Sequence, residues 1–216
     1  GYNNTQIQQV FEKWNNGRLK SFLMEITKDV FLFKDEKTGN LLVDEIKDQA
    51  KSKGTGKWTS QIAMDVEVPL NTIDASVAAR NLSKLKDLRV ELESAFGKAS
   101  KIENASDFEA QLEEAFFFSM VSAYAQGMHL LWKASKEYNY DLNMAEIAKI
   151  WRGGCIIRAE FLQDMYEAYQ KDPNLEHLYQ DAAIQQKIQT GLKHTRSVIA
   201  ASITAGIAVP CYAAAI

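Results

Sequence analysis

Proline, cysteine and histidine are scarce in this sequence, which contains three, two and three of them respectively. Cys155 and Cys211 lie in apolar surroundings, and their spacing fits neither a disulfide framework nor a zinc site. We therefore expect a reducing compartment and predict a cytoplasmic protein. The histidines, His129, His177 and His194, show no HxxE or HxxxH spacing, so no metal site is predicted.

A large surplus of either charge is also absent, since the net charge at pH 7 is -3. A dedicated nucleic-acid binder usually carries a basic surplus, because many of its contacts are to phosphates. We therefore expect no nucleic-acid partner. Any site for a smaller anion must be built from a local group of residues.

An uncharged run at residues 115–132 (AFFFSMVSAYAQGMHLLW) has the length of a membrane span. Its serines, Gln126 and His129 would be costly in hydrocarbon, so we predict no membrane association. The same run fits a helix buried on all sides inside a helical bundle, where His129 is expected to be a satisfied core residue. Residues 1–16 are polar and lack the basic start and apolar stretch of a signal peptide.

Strand-like alternation is nearly absent, and helical spacing dominates the sequence. Small and apolar residues recur every three or four positions from Phe108 to Ala134, after a capping box formed by Ser106 and Glu109, and predict one long helix of about 50 Å. Further helices are predicted over residues 5–15, 19–33, 41–51, 58–66, 71–85, 87–96, 143–151, 156–169 and 180–205. We therefore predict an all-α protein, a single large helical bundle domain over residues 1–216 with the long helix buried at its centre.

Two parts of the chain resemble each other. Residues 11–31 and 148–169 each contain a tryptophan, a glycine-bearing turn and an amphipathic helix. Farther along, IAMDVEVP ending at Pro69 matches ITAGIAVP ending at Pro210, at a similar offset. The repeated order predicts an internal duplication. Chance similarity between amphipathic helices is the alternative.

Residues 51–57 (KSKGTGK) form a loop rich in lysine and glycine. Gly54 and Gly56 permit main-chain conformations in which N–H groups converge, and the loop leads into a helix N-terminus with partial positive charge. Lys53 adds a positive charge and Thr55 a hydroxyl, so the loop is a candidate anion site. The matching segment of the second copy (HTRSV) lacks both glycines, which indicates a role specific to the first copy. A flexible turn with solvated lysines is the alternative.

Known nucleotide-binding loops do not fit this segment. The template G-x-x-x-x-G-K-[ST] would place a glycine at Lys51 and a hydroxyl at Trp58, and a dinucleotide fingerprint would need a preceding strand. Arg80 ends the run DASVAAR on a predicted helix, where its guanidinium can face a carboxylate or phosphate; a solvated surface arginine is the alternative. No G-x-S-x-G elbow occurs and neither cysteine has a nearby base in the sequence, so no catalytic residue is predicted.

A series of motifs adds to these observations. In chain order they are WNNGRLKSF (14–22), KGTGKWT (53–59), VP (68–69), Arg80, KDLR (86–89), YAQG (124–127), DLN (141–143) and IWRGGCIIR (150–158). With these motifs the sequence resembles the decarboxylating 6-phosphogluconate dehydrogenase family over nearly its whole length. Glu67, where many relatives have glycine, and Ala208, where proline is frequent, depart from the family pattern.

The resemblance implies that the chain is a fragment, the helical domain that follows an NADP-binding Rossmann domain and forms a homodimer. The family's catalytic lysine and glutamate would precede Gly1, and a tail that reaches the partner subunit would follow Ile216. The implied enzyme uses NADP to oxidise and decarboxylate 6-phosphogluconate to ribulose 5-phosphate in the pentose phosphate pathway, without a metal. We expect the fragment alone to be inactive.

The resemblance also assigns site residues. The family's phosphate-binding lysine and threonine fall on Lys53 and Thr55, and its substrate-binding arginine falls on Arg80. Lys57 is expected to support the loop. The alternative hypothesis is a non-catalytic helical assembly module, in which the duplicated bundle forms a dimer interface and the loop only turns the chain.

Overall fold

The computed structural model describes residues 1–102 and 107–216. They form two compact units: unit 1 comprises Gly1–Lys47 and Asn143–Pro173, and unit 2 comprises Asp48–Leu142 and Asn174–Ile216. Apart from two isolated β-bridges, the regular structure of these residues is helical, which confirms the all-α prediction. None of the described helices has the length and apolar character needed to span a bilayer.

Unit 1 is built from helices whose starts are set by short polar side chains. Asn3 and Ser21 accept hydrogen bonds from the first turns of α1 and α2, and Asn143 does the same for α8. Helix α1 packs against α2, and α8 packs against α9. The helices are α1 (Asn4–Asn15), α2 (Phe22–Val30), α3 (Leu42–Glu45), α8 (Met144–Ile150) and α9 (Leu162–Lys171).

The turns before α2 and before α9 pair with each other in antiparallel fashion. Ser21 and Ala159 form an isolated bridge, in which the N–H of Phe22 donates to the carbonyl of Arg158 at 3.0 Å and the N–H of Glu160 donates to Lys20 at 2.8 Å. These turns follow the two tryptophans that the sequence comparison matched. Such pairing is what two copies related by a local twofold axis would give, and the duplication stays a prediction.

Unit 2 is centred on the long helix α7, which packs mainly against α10. None of residues 111–135 is exposed, as expected for a central buried helix. The predicted capping box depends on Ser106, which lies outside the described residues. The helices are α4 (Thr55–Asp65), α5 (Asn71–Ser83), α6 (Lys86–Phe96), α7 (Phe108–Glu137), α10 (Ala182–Thr204) and α11 (Pro210–Ala213), with a 3₁₀ turn at Leu178–Gln180.

Helices α7 and α10 approach closely at Gly191. A β-carbon at this position would lie 2.8 Å from the β-carbon of Phe118 and 3.2 Å from the carbonyl oxygen of Glu114. Both separations are shorter than ordinary van der Waals contacts, so the crossing requires the smallest residue.

The hairpin of α4 and α5 is attached to α7 in two ways. An apolar cluster joins the end of α4 and the start of α5 to Leu130 on α7; its members are Ala63, Val66, Val68, Leu70 and Leu130. Beside it, the side chain of Gln126 accepts a hydrogen bond from the N–H of Thr72 at 3.0 Å and donates one to its hydroxyl at 3.2 Å. A side chain from α7 thus satisfies an otherwise uncapped helix N-terminus.

Several predicted helices are shorter than expected, and for two of them the hydrogen bonds give the reason. The helix predicted over residues 41–51 ends at Glu45, because Ile46 is extended and the N–H of Ala50 donates to the Ser83 hydroxyl instead of an i−4 carbonyl. The helix predicted over residues 156–169 begins at Leu162, since the main chain of residues 158–160 pairs with residues 20–22. In both places long-range hydrogen bonds replaced helical ones, and helical spacing alone does not reveal them.

Candidate anion-binding site

The lysine- and glycine-rich loop leads directly into α4. Gly54 has a left-handed conformation with φ of 96°, which favours glycine, and its N–H donates to the Ser52 hydroxyl at 3.2 Å. Helix α4 begins at the next residue, Thr55, three positions earlier than the predicted start at Trp58. The turn therefore aims the first N–H groups of α4 toward the loop.

The second glycine of the loop has a different role from the one expected. Gly56 lies within the first turn of α4, and a β-carbon there would meet the Cγ2 atom of Val77 on α5 at 2.9 Å. The absence of a side chain at Gly56 therefore lets α4 and α5 approach. The expectation that both glycines bend the main chain is therefore confirmed for Gly54 and wrong for Gly56, and the binding of an anion by the loop stays a prediction.

Further contacts fix the start of α4 on its neighbour. The Ser60 hydroxyl donates to the carboxylate of Asp74 on α5 at 2.5 Å. The indole of Trp58, although 62% exposed, lies near Gly54, where a β-carbon would be 3.8 Å from the ring. These contacts give the loop a defined end instead of a free turn.

Arg80 reaches the same loop from the last turn of α5. Its Nη2 atom donates a hydrogen bond to the main-chain carbonyl of Lys51, two residues before Lys53. The arginine is exposed and its other guanidinium N–H groups have no partner among the described residues. The structure therefore brings Arg80 to the loop that carries Lys53 and Thr55, as the sequence predicted.

The side chains of Lys53 and Thr55 extend into solvent. Both residues are exposed, and neither side chain has a hydrogen-bond or ion-pair partner within residues 1–102 and 107–216. No side chain caps the start of α4, because Gly54 is its N-cap. A helix N-terminus, a hydroxyl and two cationic side chains together form an arrangement that suits a phosphate or carboxylate.

Two residues that hold this loop were missed by the sequence analysis. Ser83, at the end of α5, accepts a hydrogen bond from the N–H of Ala50 at 2.9 Å. Arg89, on α6, donates from Nη2 to the carbonyl and to the carboxylate of Asp48, both at 2.9 Å. The motif KDLR included Arg89, but its partner is 41 positions away in the sequence.

The ion pair between Arg89 and Asp48 has little value for stability by itself. Its side chains are 33% and 69% exposed, and pairs in contact with water contribute at most about 1 kcal/mol. Its clear structural effect is to hold the main chain of Asp48 at a fixed place beside α6.

The histidines occupy positions that the sequence analysis did not predict. His129 is only partly buried, so the expectation of a core residue is wrong, although its Nδ1 atom lies 3.1 Å from the carbonyl oxygen of Glu176. Its ring centroid is 5.4 Å from that of His177. Burial, together with the charge of His129, lowers the pKa of His177, and the charge of Glu176 acts in the opposite direction.

Other reactive groups of the described residues are ordinary. Cys155 and Cys211 are free and partly buried, and burial raises the pKa of the Cys211 thiol. Burial also raises the pKa of Tyr212 to about 12. Among the described residues, no group of three or more histidine, cysteine or acidic side chains is placed to hold a metal ion.

Fold and site together define an all-helical domain with a candidate anion-binding loop between α5 and α4. The chain belongs to the 6-phosphogluconate dehydrogenase family: residues 1–216 match the family model described as 6-phosphogluconate dehydrogenase, C-terminal domain. The resemblance predicted from the motifs is thereby confirmed.

Curated relatives support the same family. The chain is 45% identical over 215 residues to the decarboxylating 6-phosphogluconate dehydrogenase of Shigella boydii, covering 99% of this chain and 48% of the relative. It is 43% identical over 219 residues to the NADP(+)-dependent, decarboxylating enzyme of Bacillus subtilis strain 168, covering 100% of this chain and 47% of the relative. The chain therefore spans about half the length of the curated relatives it matches.

A solved structure has the same fold. The 6-phosphogluconate dehydrogenase of Plasmodium falciparum, studied in its apo form, with its cofactor NADP+ and with its substrate 6-phosphogluconate, superposes with a TM-score of 0.94 at 41% sequence identity. The similarity covers 99% of this chain and 47% of that protein. The superposition covers nearly the whole of this chain and supports its all-α fold.

Proposed function

We propose that this chain is the substrate-binding and dimerisation part of an NADP-dependent 6-phosphogluconate dehydrogenase, and that residues 1–216 form a single helical domain of that enzyme. The whole enzyme would oxidise 6-phosphogluconate and release carbon dioxide to give ribulose 5-phosphate. The observation that carries the proposal is the contact of Arg80 with the loop of Lys53 and Thr55, in a chain 45% identical to such an enzyme.

In this proposal the loop binds the phosphate group of the substrate. The N–H groups at the start of α4 and the Thr55 hydroxyl donate to phosphate oxygens, while Lys53 and Arg80 balance the charge. The phosphate lies at the opposite end of the sugar acid from the carboxylate that is lost. Its binding energy therefore orients the reacting carbon and performs no chemistry itself.

NADP is assigned to a part of the enzyme outside this chain. A dinucleotide site of the usual kind needs a glycine-rich turn between a β-strand and a helix. The described residues of this chain contain helices and two isolated bridges but no β-strand. The cofactor would accept the hydride in the whole enzyme. We propose no residue of this chain as its ligand, and we expect the chain alone to be inactive.

The proposed protein is a homodimer located in the cytoplasm. The homodimer comes from the family resemblance, and the cytoplasmic location from the scarcity and spacing of the cysteines. Light scattering of the full-length protein measures the oligomeric state. A mass equal to one subunit at micromolar concentration would contradict the dimer.

The site is tested in the full-length enzyme by replacing Lys53 with alanine. Loss of a hydrogen bond between charged groups costs about 1.5–3 kcal/mol, so the KM for 6-phosphogluconate should rise roughly 10- to 150-fold. The KM for NADP should stay unchanged, because no residue of the loop is assigned to it. Lys193→Ala, which removes an exposed lysine from α10, is the matched control.

The outcome separates the two functional classes. A raised KM for 6-phosphogluconate in Lys53→Ala and Arg80→Ala, with the control unchanged, supports the enzyme. A full-length protein that neither binds 6-phosphogluconate nor reduces NADP would contradict it, and would favour the helical assembly module.

A further inference from the structure

Residues 48–51, which lead into the anion loop, are hydrogen-bonded at three positions to a corner of unit 2 formed by the end of α5 and by α6. Side chains from the end of α5 and from α6 bond to the main chain of Asp48, Ala50 and Lys51. Arg89 donates to the carbonyl of Asp48, and Arg80 donates to the carbonyl of Lys51. The hydroxyl of Ser83 accepts from the N–H of Ala50. A loop whose main chain is held at three positions cannot drift without breaking several hydrogen bonds together.

The side chain of Arg89 makes three hydrogen bonds in this corner. Its Nη2 atom lies 2.9 Å from the carbonyl oxygen of Asp48, 2.9 Å from its carboxylate and 3.3 Å from the carbonyl oxygen of Ser83. The guanidinium of Arg89 therefore joins Asp48 to Ser83, whose hydroxyl accepts from the N–H of Ala50. The side chain is only 33% exposed, so its position is constrained on the inner side.

The same corner includes Arg80. The hydroxyl of Ser83 donates to the carbonyl of Arg80 at 2.8 Å while it accepts from Ala50. The last turn of α5 thus carries both a proposed substrate ligand and an anchor of the loop. A shift of segment 48–51 would change the distance between Arg80 and Lys53, whose cationic groups must close on one phosphate.

We propose that Arg89 is a positioning residue for phosphate recognition, which acts through Asp48 and Ser83 and does not touch the substrate. The inference rests on the proposed function of the loop. Its physical content is that the fixed main chain at residues 48–51 sets where Lys53 and Arg80 meet. An exposed ion pair adds little to the fold, so the effect should be seen in binding more than in unfolding.

The test measures steady-state kinetics of the full-length enzyme with Arg89→Ala and, as a second variant, Ser83→Ala. Arg89→Ala should raise the KM for 6-phosphogluconate by about tenfold, equivalent to one lost charged hydrogen bond. Ser83→Ala, which removes a neutral anchor, should raise it by about threefold. The KM for NADP should not change. Arg196→Ala, an exposed arginine on α10 in the same unit, is the control for lost charge.

A double-mutant cycle separates positioning from general damage. If Arg89 acts through the loop, Arg89→Ala should have a much smaller effect on KM when Lys53 is already alanine. A merely structural role would give the same factor in both backgrounds and would lower the thermal midpoint and kcat together. That pattern, or an unchanged KM in Arg89→Ala, overturns the inference.

The Lys53→Ala result distinguishes a failure of the positioning role of Arg89 from a failure of the proposed phosphate site. If Lys53→Ala raises KM and Arg89→Ala does not, the positioning role fails and the proposed function stands. If neither Lys53→Ala nor Arg80→Ala changes KM, the proposed phosphate site fails, and the positioning role fails with it.

Discussion

The guanidinium of Arg80 bonds to the carbonyl of Lys51, so the end of α5 is tied to the loop that precedes α4. The two residues are 29 positions apart in the sequence. Because only Nη2 makes this bond, the remaining N–H groups of Arg80 are left for a ligand. One arginine can therefore support the loop and bind what the loop binds.

This double role predicts a difference between lysine and alanine at position 80. Arg80→Lys keeps the charge, but a single ammonium cannot serve the Lys51 carbonyl and a phosphate in two directions. We expect the KM for 6-phosphogluconate to rise about fivefold in Arg80→Lys and more in Arg80→Ala, as one or two hydrogen bonds are lost. Equal KM values in the wild type and Arg80→Lys would contradict the double role.

The close approach of Gly56 to Val77 predicts that Gly56→Ala destabilises the wild type but stabilises a Val77→Ala variant. Alanine is favoured over glycine in helices by about 1 kcal/mol, but overpacking costs about 1–3 kcal/mol. Gly56→Ala should therefore lower the free energy of unfolding, measured with urea. In a Val77→Ala background the clash is gone, and the same change should raise it. A stabilising effect in both backgrounds would show that the contact is not restrictive.

Glu67 is exposed and has a φ of 58°, in the left-handed region. This conformation costs a residue with a β-carbon about 1–2 kcal/mol, whereas glycine adopts it freely. Glu67→Gly should raise the free energy of unfolding by about 1 kcal/mol, after its greater entropy in the unfolded chain is subtracted. Glu91→Gly in the exposed helix α6 is the control, and should lower it by about 1 kcal/mol.

The lowered pKa of His177 predicts a stability that depends on pH. The unfolded chain takes up a proton near the ordinary value of 6.5, while folded His177 resists it because of burial and the nearby His129. The free energy of unfolding should therefore decrease as the pH falls below 6.5. Protonation would also remove the Nδ1 atom as acceptor for the N–H of Tyr179, now 3.1 Å away.

Replacement of His177 by glutamine tests whether this histidine causes the pH dependence of stability. The pH dependence of the free energy of unfolding below 6.5 should become shallower in His177→Gln than in the wild type. Parallel curves for the wild type and His177→Gln would mean that other groups cause the dependence.

The sequence allowed the helical class, the long helix and the loop to be predicted, because each depends on local spacing or composition. The start of α4 was placed three residues late, since the left-handed turn at Gly54 carries no apolar signal. The helix predicted over residues 41–51 was too long for a different reason. Its main chain bonds to Ser83, and a partner 33 positions away leaves no periodic trace.

The site was predictable in part for the same reason. Lys53 and Thr55 lie in the loop itself, so composition and family motifs located them. Gly56 was assigned to the anion although it serves a helix contact, because glycine spacing alone does not say which neighbour approaches. Arg89 and Asp48 could not be joined without coordinates.

The narrow crossing of α7 and α10 at Gly191 has a consequence for how this family can diverge. A methyl group at position 191 would meet the β-carbon of Phe118 and the main-chain carbonyl oxygen of Glu114, and no other side chain at position 118 removes both atoms. Position 191 should therefore stay glycine in relatives that keep this helix crossing. A survey of natural variants would then show an invariant glycine at this position, whatever the size of the residue at position 118.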